Sequence, residues 1–132
     1  MKGKFFLEPW AAPLLSVMRI IVGFLYMTHG MVKLLSYPVP FSMQIKLFSL
    51  LGLAGVLELF GGALVLLGLF TRPVAFILSG EMAFAYFMAH APKSFWPLLN
   101  GGEAAVLYCF VVLYLAAVGG GPWSLDRLRG AQ

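Results

Sequence analysis

The chain has 132 residues, 61% of them hydrophobic and only 11% charged, with a net charge of +4. A soluble domain carries roughly 25% charged residues, so a fully water-covered surface is excluded and the lipid bilayer becomes the expected solvent. The basic excess sits mostly in the connections between apolar runs, without the aromatic-interleaved basic patches of nucleic-acid binders, so no nucleic-acid partner is expected.

A helix needs about 20 apolar residues to cross about 30 Å of hydrocarbon. The first such run covers about 13–35, with Pro9 and Pro13 at its start. Lys2 and Lys4 precede it as in a signal peptide, but the run is too long for one, Arg19 interrupts it and no small-residue cleavage site comes after it. It reads as a retained helix. Tyr37-Pro38-Val39-Pro40 ends it, because proline fixes φ, removes a donor and restricts its predecessor. A second run covers about 47–70. Thr71-Arg72-Pro73 is a polar turn, with Pro73 suited to open a third helix over about 73–91. Pro92, Lys93 and Pro97 mark the next connection. Asn100-Gly101-Gly102 precedes a fourth run over about 103–118, which Gly119-Gly120-Gly121-Pro122 ends. Ser124-Leu125-Asp126 is placed to start a short interfacial helix.

These runs predict an all-α protein, an integral membrane four-helix bundle forming a single domain over 1–132. Lys2, Lys4, Arg72, Arg127 and Arg129 fall on the side of the termini, against Lys46 and Lys93 (with Lys33 at a helix end) on the other. The excess of positive charge predicts both termini in the cytoplasm. Trp10, Trp96 and Trp123 lie near run ends, where interfacial aromatics belong.

Arg19, Glu58, Glu81 and Glu103 stand within the apolar runs. Each costs at least ~2.5–3.5 kcal/mol at a bilayer centre, which makes such residues pointers to function. In the first helix Arg19, Gly23, Tyr26, Gly30 and Lys33 share one face, with His29 beside it. Gly55 and Gly62 flank Glu58, which places it at a helix contact. Glu58 has two readings: a partner for Arg19, or a protonatable group in a cavity. Glu81 lies on a small-residue face with Ala85 and Ala89. On a straight helix His90, nine residues on, points away from Glu81 and reaches interfacial water. Glu103 suits the positive end of the fourth helix, and Tyr114, three turns on, shares its face. By depth, His29, Lys33, His90, Asn100 and Glu103 lie toward the outer side, Glu58 and Glu81 near the middle, and Arg19 in the inner half. Arg19, Glu58 and Glu81 are therefore expected as a structural ion-pair core, with Glu103 apart.

Other chemistry finds little support. His29 and His90 are the one pair available for axial haem ligation, and a single cysteine excludes a c-type attachment motif; haem is not expected. No metal motif is present, since neither Glu81 nor Glu103 has the histidine three residues on that a bundle di-iron site needs. Cys109 reads as a packing residue.

The order of these motifs resembles the DoxX family of small bacterial inner-membrane proteins. The resemblance rests on His29-Gly30 with Lys33, on Gly55-Val56-Leu57-Glu58-Leu59-Phe60-Gly61-Gly62 leading to Gly68-Leu69-Phe70-Thr71-Arg72, and on Glu81-Met82. It continues through Asn100-Gly101-Gly102-Glu103 and the closing Gly119-Gly120-Gly121-Pro122-Trp123-Ser124-Leu125-Asp126. It implies a multi-pass four-helix protein of the bacterial inner membrane. It also implies a link to quinones, since some relatives are membrane subunits of quinone-linked sulfur oxidoreductases. On that reading a quinone enters from lipid. Glu103 and Glu58 exchange protons with help from His29, and Lys33, Asn100, Tyr26, Tyr114 and His90 contact the ring. The alternatives are a non-enzymatic subunit or scaffold for a redox partner protein, or for a second copy of the chain, and a small-solute or proton pathway.

Overall fold

The structure, a computed structural model, describes residues 3–41 and 45–131. Lys2, one of the charges that bear on orientation, lies outside the described residues. A 3-10 turn at Glu8–Trp10 leads into α1 (Ala11–Leu35). Helix α2 (Leu50–Leu67) comes next, then α3 (Thr71–Ala85), which runs on through Tyr86–His90. The short α4 (Pro97–Asn100), α5 (Glu103–Val118) and the short α6 (Leu125–Leu128) complete the chain. The third helix starts at Thr71, two residues before the expected Pro73.

Local sequence explains where the helices begin and end. α1 stops at Ser36 in the left-handed region, just before Tyr37-Pro38. Ser49 caps α2, its hydroxyl accepting from the Gly52 amide at 3.2 Å. Gly68 ends α2 with φ +67°, and its amide and that of Leu69 turn back to Val65 and Leu64. A side chain there would be strained and would strike Ser124 and Arg19.

The long helices pack as two pairs, α1 with α2 and α3 with α5. The first pair is drawn together by glycine: a Cβ on Gly23 would collide with the Leu66 backbone, and one on Gly62 with the Met27 amide. Val22, Val65, Leu78, Val112 and Leu115 form the buried core. Phe24, Phe60, Phe76, Phe84 and Phe110 are exposed on the outer faces, an apolar surface suited to lipid. Glu8–Leu35 and Leu50–Leu67 are each long and apolar enough to cross a membrane, and Glu103–Val118 is a shorter apolar helix.

Two segments depart from α geometry. Leu57–Gly61 within α2 and Tyr86–His90 at the end of α3 are π-helical. Each widens the helix by about a residue per turn and shifts the register of the residues beyond it; such turns recur at functional sites. One carries Glu58, the other His90.

Candidate functional site

The ionisable residues divide between the two ends of the molecule. At the end holding the termini, Arg19 is only 1% exposed and does not pair with Glu58 or Glu81. This corrects the expected ion-pair core. Its guanidinium donates to the carbonyls of Gly120 and Trp123, the latter at 2.7 Å. The glycine turn after α5 leaves these carbonyls without helical partners, so an arginine with five donors serves better than an acid. Ser16 joins the same turn, donating to the Gly120 carbonyl at 3.3 Å and accepting from the Trp123 amide at 3.1 Å.

Asp126 closes this end. Its two carboxylate oxygens accept from the amides of Phe70 at 2.9 Å and Thr71 at 2.8 Å, and its own amide donates to the Gly68 carbonyl at 2.8 Å. A carboxylate from the tail thus caps the N-terminus of α3. Burial works against its charge, but the Thr71 and Phe70 hydrogen bonds and the Arg129 guanidinium outweigh that and hold its carboxyl below the usual range. Arg129 lies 3.5 Å from Asp126 and stacks over the Phe70 ring at 4.4 Å.

The other half is organised around a cavity of about 270 Å³ between the helix pairs. Tyr26, His29 and Lys33 enter it from α1 and Glu58 from α2. Met82, Ala85 and His90 come from α3, and Ala104, Ala105 and Tyr108 from α5. Lys33 Nζ and Glu58 Oε2 form an ion pair at 2.5 Å, with the Glu58 side chain 3% exposed and that of Lys33 18%. The cationic partner of Glu58 is Lys33, about four turns along the same face of α1 from the expected Arg19. Glu81 lies beside Glu58 and within electrostatic range of Lys33. Both its oxygens are buried and have no hydrogen-bond partner among the described residues. The Tyr26 hydroxyl is in the same condition. Orphaned polar atoms of this kind call for an explanation, because each costs about 1–3 kcal/mol.

Rings line the upper part of the cavity. Tyr108 packs edge-on against Tyr26 at 5.0 Å and against His29 at 6.0 Å. His29 is exposed and stands at the rim. His90 does not point away toward interfacial water, as a straight helix required. The π-turn at Tyr86–His90 changes its register and brings it to the same cavity as Glu58. Its Nδ1 lies 3.1 Å from the Asn100 carbonyl. A carbonyl only accepts, so Nδ1 donates this hydrogen bond.

Three expected site residues lie outside this cavity. Glu103 is exposed in the first turn of α5, in the favourable field of the helix N-terminus. Tyr114 is exposed further along α5, in a separate shallow groove beside Ala11 and Leu15. The three turns between them do keep them on one face, but that face looks outward. Asn100 is buried and committed to its own loop: its amide donates to Tyr86 Oη and the Ser94 carbonyl, and its Oδ1 accepts from the Gly102 amide at 2.8 Å. It therefore positions His90 instead of facing a ligand. Tyr108 is a site residue that motif spacing does not reveal, although a tyrosine inside an apolar run is itself a signal.

Comparison with known proteins bears on what this arrangement is. The DoxX family model matches residues 14–91. The chain belongs to the DoxX family. An uncharacterized protein of Haemophilus influenzae is 41% identical over 126 residues, spanning 92% of this chain and 94% of that protein. No solved structure gives a significant match. As a DoxX protein it is a membrane protein, in keeping with the two membrane-length helices among the described residues. The matched segment contains Arg19, His29, Lys33, Glu58, Glu81 and His90, so most of the cavity falls inside it, whereas the Gly120, Trp123 and Asp126 partners of the arginine-centred end lie beyond it.

Proposed function

We propose that this DoxX protein is a redox-linked component of the bacterial inner membrane that binds a quinone-type ring in the cavity between its helix pairs. In this reading the four long helices span the bilayer as a bundle with both termini cytoplasmic. The observation that carries it is the polar floor of an otherwise apolar cavity: the Lys33–Glu58 pair at 2.5 Å with the unpartnered Tyr26 hydroxyl nearby. A quinone carbonyl needs donors, which Lys33 and Tyr26 supply, and its reduction needs protons, which Glu58 is placed to pass. Met82, Ala85, Ala104 and Ala105 offer apolar walls to the ring. At about 270 Å³ the cavity is at the small end of ligand sites and suits a single ring with its tail in lipid. His29 at the rim serves proton exchange with the outside. Electrons come from a partner protein.

The test is extraction of the purified protein and mass spectrometry for bound quinone. Quinone should be present in the wild type and reduced severalfold in Glu58→Gln. An empty wild type, together with quinol turnover indifferent to Glu58→Gln, would sink the reading. A scaffold role is the second reading, favoured by the direct closure of Lys33 on Glu58. It expects Glu58→Gln to lower thermal stability while a co-purifying partner, not a quinone, is lost.

A further inference from the structure

We infer that Glu58 and Glu81 hold one proton between them, and that Glu81 is a positioning residue which keeps that proton available to a ligand touching Glu58. The ligand part of this inference rests on the quinone reading; the proton itself does not.

The charge balance of the cavity floor leads there. The two carboxyl groups come from helix segments that pack against each other, Leu57–Gly61 and Thr71–Ala85, and the fixed cation that faces them is Lys33, committed to Glu58 at 2.5 Å. Glu81 has both oxygens shut away from solvent without a partner among the described residues. A second full negative charge in that place would have no solvent and only a share of the cation already committed to Glu58. Two adjacent carboxyls avoid this by sharing a proton. The other titratable groups around the pair are Tyr26 and His29 from α1, Tyr86 and His90 on α3 itself, and Tyr108 and Cys109 from α5. None of these adds a fixed positive charge, and Arg19 is engaged with the Gly120 turn at the other end.

The geometry gives the two acids different duties. Glu58 sits in the π-helical stretch Leu57–Gly61 and lines the cavity. Glu81 does not line it; its neighbour Met82 does. A proton held by the pair therefore reaches a ligand through Glu58, with Glu81 behind it as the group that stores and returns it. A neutral ring entering the cavity displaces water and leaves a surplus charge still less tolerable. Ligand binding is then linked to a neutral site. Above the pH at which the pair loses its shared proton, affinity falls by about tenfold per pH unit.

The chain has five Asp and Glu side chains, which makes infrared difference spectroscopy tractable. Purified protein in lipid nanodiscs should show a protonated-carboxyl stretch at neutral pH that disappears in Glu81→Gln and survives in Glu103→Gln. A wild type without the band, or a band unchanged in Glu81→Gln, overturns the inference. Glu81→Asp made with isotope-labelled glutamate covers the case of a variant that fails to fold: the shared proton then gives an unlabelled aspartate band, and a band that remains wholly labelled overturns it. Decylubiquinone titrations across pH separate the two proposals. A wild type that binds none, yet loses its band in Glu81→Gln, removes the quinone reading and leaves the proton in place. Binding whose pH slope is identical in the wild type and Glu81→Gln overturns the linkage while the quinone reading stands.

Discussion

The two ends of this molecule handle buried polar groups in opposite ways. At the end with the termini, Arg19 and Asp126 meet backbone groups: carbonyls freed by the Gly119–Gly121 turn, and amides freed at the start of α3. Those partners are fixed and match most of the charge, although Arg19 Nε and Thr71 Oγ1 have no partner among the described residues, and the result is a clasp. At the other end Lys33 and Glu58 meet each other, while Glu81 and the Tyr26 hydroxyl meet no partner among the described residues, beside a cavity. The difference teaches that charge inside a membrane protein is not one signal. Where the partner is backbone, the charge serves the fold. Where partners are missing and space is left, we propose that it serves a ligand or a proton.

Substitutions can break or sharpen that contrast. The largest effect is expected for Arg19→Met, which strands the carbonyls of Gly120 and Trp123. It should cost about 3 kcal/mol or more, read as a lower midpoint of thermal unfolding in detergent, with quinone content falling only as the folded fraction falls. A stable Arg19→Met protein that loses its ligand would erase the distinction between the ends.

Asp126→Asn comes next, at about 1–2 kcal/mol for a charged helix cap. Its pH behaviour has a definite sign. The folded carboxyl lies below its ordinary value of 3.8, so its contribution is complete above that value and is lost as pH falls through the folded one. Acid titration of unfolding should show this loss in the wild type and not in Asp126→Asn.

Tyr26→Phe should change stability by less than about 1 kcal/mol, because its hydroxyl has no partner to lose among the described residues, yet, on the proposed quinone reading, weaken quinone retention. Affinity unchanged by Tyr26→Phe would remove that hydroxyl from the site. The smallest effect is expected for Glu103→Gln: a few tenths of a kcal/mol from the helix dipole, with bound quinone unaltered.

The helices are legible from apolar run length and from proline and glycine punctuation, because these act locally. α1 and α5 end at Leu35 and Val118, where the composition changes. The site is legible only in part. The stripe carrying Tyr26 and Lys33 comes from regular α geometry, and both residues line the cavity. His90 cannot be placed by the same arithmetic, since a π-turn intervenes and periodicity assumes a constant turn. The partners of Arg19 are hidden because an acid is visible in a sequence, whereas a carbonyl freed by a turn is not. Glu103 looks prominent for a related reason: its charge is plain to read, but whether its helix face turns inward is decided by packing between α3 and α5.

The hydrogen bonds of Arg19 also set an order for biogenesis. Gly120 lies 101 residues after Arg19 and Trp123 lies 104 after it. At roughly 5–20 residues per second of synthesis, the first helix waits several seconds or longer before the ribosome releases the carbonyls its arginine needs. Through that interval the arginine sits at the membrane without its final acceptors. A chain that stops short of Trp123 never receives all of them, so the first helix to be made depends for its buried arginine on one of the later segments to be made.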